Sequence, residues 1–331
     1  MPQNLLSFSD AFGDSVELTA AIQRTPFNPG QIAKLKIFSE AGVATTSVAI
    51  DMLDNVLTML PTSPRGGVGV AHNSGRPRSM LTVEAVHIST VSAAYADEVQ
   101  NVREFGGTGL DTPEALVKRK LQGMKNNLEV TLEQHRAGAI RGLVQDTDGS
   151  TLLDTYAAFG ISQVVYPMDL GGTGNLVNKT IGAERLCQAA LGGLDPSGFL
   201  ALCSPGFMDS LRANGYYDSA LRFAAPRTML AGYQSGITVG DTTYIEVRSS
   251  PGLPAKVPAG EGYLIPLGID DLFITRFAPG DYVSNVNQPG LPAYVQSQPM
   301  GMDKGYRLEA QSNHVSICTR PACVIKLTAA A

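Results

Sequence analysis

Charge is the scarcest commodity in this sequence. Asp, Glu, Lys and Arg make up 17% of 331 residues, against roughly 25% in an average soluble domain. A surface so poor in charge suits a chain that hides part of itself against partners. Tryptophan is absent. No stretch approaches the ~18 apolar residues of a membrane-spanning helix, so none is expected. The first residues, MPQNLLSFSDAFGDSVEL, have neither a basic n-region nor an apolar h-region, which argues against a secretory signal. Cysteine is rare: Cys187, Cys203, Cys318 and Cys323 read as free thiols of a protein made in a reducing cytoplasm. The net charge of −5 excludes a strongly basic nucleic-acid binder but not a protein that merely encloses nucleic acid. Two local absences stand out. No lysine occurs between Lys36 and Lys118, and no acidic residue between Asp54 and Glu84.

What is present is a hydrophobic fraction of 44% with 35 Gly and 20 Pro, enough for a large core and many turns. Disorder, collagen and coiled coil are excluded by that balance. The length predicts two domains or one elaborate one. Residues 1–42 read as an arm with one short helix, SVELTAAIQR, capped by Asp14. VATTSVAIDMLDNVLTML (43–60) and MLTVEAVHISTVS (80–92) are rich in β-branched residues and read as strands. The Pro- and Gly-rich run between them is longer than loops of compact domains, so 43–92 reads as one extended two-stranded arm. Its acid-free window carries Arg65, Arg76 and Arg78, a basic tip suited to an acidic neighbouring surface. The clearest element is a long helix over 111–143. Asp111 and Glu114 stand at capping-box spacing, Pro113 lies in the first turn, and apolar residues recur along one face. Asp148-Gly149 then predicts a hairpin. Residues 181–224 look α/β, and strands with Pro/Gly loops follow. GYRLEAQSNHVSICTRPACVIKL near the end reads as two strands.

Candidate chemistry dissolves on inspection. Gly172-Thr-Gly174 lacks the third glycine of a dinucleotide turn, because position 177 is Val. Asp146-Thr-Asp148-Gly149 lacks the twelfth-position Glu of a calcium loop, since Ala157 stands there. His314, Cys318 and Cys323 sit in apparent strands rather than in zinc-binding turns, and read as core residues. His135 lies on the apolar side of the long helix and reads as packed. In Gly232-Tyr-Gln-Ser235-Gly236 the serine comes one place late for a nucleophile elbow. The sequon Asn178-Lys-Thr180 carries no meaning without a secretory signal. The expectation is no catalytic residue, no cofactor and no metal.

Taken in order, LTAAIQRTPFNPGQIAKLKIFSEAGVATTSVAID (18–51), LPTSPRGG (60–67), ADEVQNVREFG (96–106), TLEQHRAGAIRGLVQDTDGSTLLD (131–154), IPLGIDDLFITRFAPGDYVSNVNQPGLPAYVQ (265–296) and MDKGYRLEAQSNHVSICTRPACVIKL (302–327) resemble the tailed-phage major capsid proteins of the lambda head-protein family. The resemblance implies an α+β, Hong Kong 97-type capsid fold. Its parts would be an N-terminal arm (1–42), an extended E-loop hairpin (43–92), and a P-domain (93–160) with the spine helix. An A-domain (161–300) would follow, then C-terminal strands (301–331) returning to the P-domain. It implies a structural, non-enzymatic protein that assembles into hexamers and pentamers around double-stranded DNA, without sequence-specific binding or membrane association. Further implied partners are a scaffold protein acting in trans (no scaffold-like region precedes Leu18), a decoration protein and a portal. The expected location is the virion, with assembly in the host cytoplasm. Two other readings remain open: an encapsulin-like compartment shell, and a cytoplasmic α/β enzyme using 165–195.

Overall fold

In a computed structural model of the chain, residues 15–25, 30–52, 79–98, 112–171, 175–215, 236–249 and 252–330 are described. Asp14, Asp111, the run 53–78 with Arg65, Arg76 and Arg78, and positions 172–174, 216–235 and 250–251 lie outside them. Two helices, α1 (Ser15–Arg24) and α2 (Gln31–Lys34), lead into strand β1 (Phe38–Gly42). Strands β2 (Ser47–Met52), β3 (Ser79–Glu84) and β4 (Val86–Tyr95) precede the long helix α3 (Pro113–Arg141). Then come β5 (Leu143–Gln145), β6 (Thr151–Asp154), α4 (Thr155–Phe159), β7 (Val165–Pro167), α5 (Leu176–Ala190), β8 (Gly198–Cys203) and α6 (Pro205–Ala213). The remainder is β-rich: β9 (Ile237–Val239), β10 (Thr242–Glu246), β11 (Glu261–Leu267), β12 (Phe273–Phe277), β13 (Tyr294–Pro299), β14 (Gly305–Cys318) and β15 (Ile325–Thr328).

Helix α3 starts one residue later than its acidic cap signal implies. Pro113, with a fixed φ and no N–H, takes the first helical position. The preceding Thr112 therefore becomes the cap, and its hydroxyl accepts from the Ala115 amide at 3.2 Å. At 1.5 Å per residue its 29 residues span about 43 Å. Gly142, at φ +82°, ends it and pushes Leu143 off the helical stripe into β5. The Asp148-Gly149 hairpin forms as its turn residues dictate, with β5 antiparallel to β6.

Of the two larger sheets, the first lies along this helix and the second meets only its last turns. The first runs β1-β12-β14-β13, with β4 also paired to β14; the second runs β7-β15-β11-β8-β10-β9. Strand β14 is the axis of the first sheet, and its alternation builds two cores. Leu308 and Ala310 pack with Ala94 and Val295 beneath Leu18 and Ile22 of α1 and Leu116, Leu121, Met124 and Leu128 of α3. Val315 and Ile317, with Ile274, face the other way and are covered by Val48, Ile50 and Val83 of the β2–β3 hairpin. The largest core is centred on the second sheet, takes in Ile32 of α2 and Phe273 and Cys318 of the first sheet, and meets α3 at Ala137 and Ile140.

The sheets cut across the segments drawn from sequence. The stretch 43–92 reads as one two-stranded arm, yet only β2 and β3 pair with each other. After Ala85 the chain leaves the hairpin, and β4 runs along β14 from Val86 opposite His314 to Tyr95 opposite Gly305. Likewise β1, from the arm, and β12 and β13, from 161–300, belong to the sheet under α3, whereas β15 joins the second sheet beside β14's. Strand partners so distant in sequence leave no local trace, which is why boundaries at 42, 92, 160 and 300 miss them.

Candidate functional site

The most heavily connected polar residues lie where the last turns of α3 meet both sheets. Glu133 is buried, and its carboxylate accepts from the Ile32 amide at 2.7 Å, the Ala33 amide at 3.2 Å and Lys256 Nζ at 3.1 Å. One side chain thus caps α2, whose own cap residue Gly30 cannot, and neutralises a buried lysine. One turn on, Arg136 donates to Glu40 of β1 at 2.6 Å and to the Thr275 hydroxyl at 3.4 Å, with its guanidinium 5.5 Å above the Phe38 ring. Beside it His135 Nδ1 lies 3.0 Å from His314 Nε2, and the second ring nitrogen of His314 meets the Ser312 hydroxyl at 3.2 Å. Burial, reinforced by His135 and Arg136, holds His314 neutral with its pKa down to about 3; burial also lowers His135. Nearer the N-terminus of α3, Lys125 Nζ donates to the carbonyls of Ile22, Gln23 and Thr25 at 2.7–3.1 Å, closing the C-terminal end of α1.

These groups are ties between elements. Every donor or acceptor just named is spent on another part of the same chain, and among the described residues no group of three His, Cys, Asp or Glu side chains is placed to hold a metal. The sequence candidates resolve the same way. Asp146 and Asp148 close the hairpin turn, Asp148 accepting from the Ser150 amide at 2.8 Å. The four cysteines are buried free thiols. The N-terminus of α5, where a nucleotide phosphate would have to sit, is capped by Asn175, whose carbonyl accepts from Val177 and Asn178 at 3.0 and 3.3 Å. Gly172–Gly174, Ser235 and the arginines 65, 76 and 78 lie outside the described residues. Glu133, Arg136 and Lys256 escape a reading of the sequence, although the break in α3's apolar stripe between Leu132 and Ala139 marks their place.

Among the described residues, these polar groups serve to tie elements of the chain to one another. The family model for phage major capsid protein E matches residues 14–329. The chain belongs to the phage major capsid protein E family. Among curated proteins, the major capsid protein of Pseudomonas phage KPP10 is 26% identical over 95% of this chain and 96% of its own length. Among solved structures, the capsid protein of an E. coli CFT073 prophage is similar at a TM-score of 0.58 and 11% identity, covering 96% of this chain and 99% of that one. The SrpI encapsulin of Synechococcus elongatus PCC 7942 is similar at 0.50 and 10% identity over 92% and 90%. At such identities the likeness carries the fold alone, a Hong Kong 97-type capsid fold shared by phage heads and an encapsulin. Family membership makes the choice: this capsid protein is a head protein that builds an icosahedral shell, and its role is structural.

Proposed function

We propose that copies of this chain form hexamers and pentamers that close around double-stranded DNA. The observation that carries the proposal is a single family match running unbroken through arm, long helix and both sheets, from residue 14 to 329. In this reading α3 and the sheet on β14 form the peripheral part of each subunit. The second sheet lies toward the capsomer axis, and the arm begun by β2 and β3 reaches over a neighbour. Arg65, Arg76 and Arg78 are its contact residues, docking on an acidic surface of the next subunit. Contacts that repeat by rotation close the rings, and near-equivalent contacts join rings into a shell. The net charge of −5 suits a wall that encloses DNA without trapping it. A scaffold protein acting in trans, a decoration protein and a portal complete the proposed partners, with assembly in the host cytoplasm.

Electron microscopy of the purified chain tests this directly. Capsomers, tubes or shells are expected, with uniform heads only when a scaffold protein is co-expressed. A compact monomer or dimer that binds a nucleotide would overturn the proposal.

A further inference from the structure

Three of the four cysteines meet in one place. Cys187 lies on α5, Cys318 ends β14, and Cys323 closes a single-turn 3-10 helix, Pro321–Cys323, that packs on α5. All three are buried in the largest core. Cys323 is shared: its Sγ donates to the Arg320 carbonyl at 3.0 Å and lies within hydrogen-bonding reach of the thiols of both Cys187 and Cys318. Those two neighbours hold the Cys323 thiol below its ordinary pKa, while the bond to Cys323 raises Cys187 and burial raises Cys318. Cys203 stands apart, its Sγ 3.7 Å from the Ala201 carbonyl.

Among the described residues no such trio is placed to hold a metal ion. What adjacent thiols can do with their own atoms is form a disulfide. Cys323 is the nucleophile of the three, because the thiolate is the reactive form and its neighbours favour it. Cys187 suits it as partner. Leu186 and Gln188 beside Cys187 are exposed, as is Ala322 beside Cys323, so this pair lies one layer below the surface. Cys318 is instead fixed in the β-ladder opposite Phe273. The oxidant must be small enough to reach buried sulfur, and hydrogen peroxide is. The Cys323 sulfur attacks the O–O bond, which breaks to leave a sulfenic acid and one water. The Cys187 thiol then displaces the sulfenic oxygen as a second water, forming the S–S bond. Two thiols lose two electrons and two protons, and one peroxide becomes two waters.

We propose that Cys187 and Cys323 are an oxidation site, joined by peroxide into a disulfide that fastens α5 to the C-terminal segment. The link would close a long loop of chain and so constrain the unfolded state. The site rests on the subunit alone. Only its timing, after a head leaves a reducing cytoplasm for surroundings where disulfides persist, rests on the function proposed above. The full chain, folded and treated with hydrogen peroxide, tests it. Intact mass should fall by two hydrogens, and non-reducing peptide mapping should join Cys187 to Cys323. The urea midpoint should rise on oxidation and return with dithiothreitol. Cys323→Ala should abolish link and rise, whereas Cys203→Ala should keep both. Four free thiols after peroxide, a link to Cys318 instead, or a linked chain with an unmoved midpoint would each overturn the proposal. If Cys323→Ala fails to fold, mapping of the unsubstituted chain decides. A chain that makes the link but no shells would support the site and overturn only the assembly reading.

Discussion

Glu133 joins three segments through one carboxylate, and removing it strands Lys256 in the interior. Breaking a buried ion pair from one side costs roughly 3–5 kcal/mol. Glu133→Ala should therefore lower subunit stability by about that much in urea denaturation, and a loss under about 1 kcal/mol would show that the tie is dispensable. His314 gives the residue scale a pH dependence. Its folded pKa lies near 3, held down by burial, by His135 and by Arg136, against about 6.5 in an unfolded chain. Between those values the unfolded state binds the extra proton, so stability falls as pH drops from about 6.5 toward 3, with a limiting slope of ~1.4 kcal/mol per pH unit. His314→Gln should flatten the fall between pH 6.5 and 4 in denaturation midpoints. Parallel slopes for both chains would remove His314 as the cause.

At the scale of elements, the β2–β3 hairpin is marginal by itself and is held by Val48, Ile50 and Val83 against the back of the sheet. Beyond it, residues 53–78 carry three arginines and no acid. Changing Arg65, Arg76 and Arg78 together to Glu should leave a subunit with unchanged stability that does not assemble at physiological salt. Each exposed ion pair is worth only about 0.2–1 kcal/mol, but a shell repeats the contact in every copy. Normal particle yield from the triple variant would refute the docking role. Helix α3 and the Asp148-Gly149 hairpin are both legible in the sequence, because caps, turn residues and a 3.6-residue period are local signals. The destination of β4 is not, since its partner strand begins more than two hundred residues downstream.

For the whole particle, the absence of lysine from 37–117 leaves the arm without an amine nucleophile, and arginine cannot be deprotonated to replace it. The four cysteines are buried inside each subunit. Shells should therefore be held without covalent links, by buried area, loop docking and a decoration protein. Boiled, unreduced particles should run as one band near 34.9 kDa, and a ladder of covalent dimers, pentamers and hexamers would contradict this.

By itself the sequence determined a surface poor in charge, the long helix and the hairpin after it. These follow from side-chain chemistry within a few residues of itself. Tertiary structure alone decided which strands share a sheet, that Glu133 would be buried against Lys256 and Arg136 tied to a half-exposed Glu40, and that ISQVVYP would become an edge. Backbone N–H and C=O groups are alike at nearly every residue, so a strand's period announces which face is buried but not which strand will lie beside it. That choice is made only when distant segments fill one another's space.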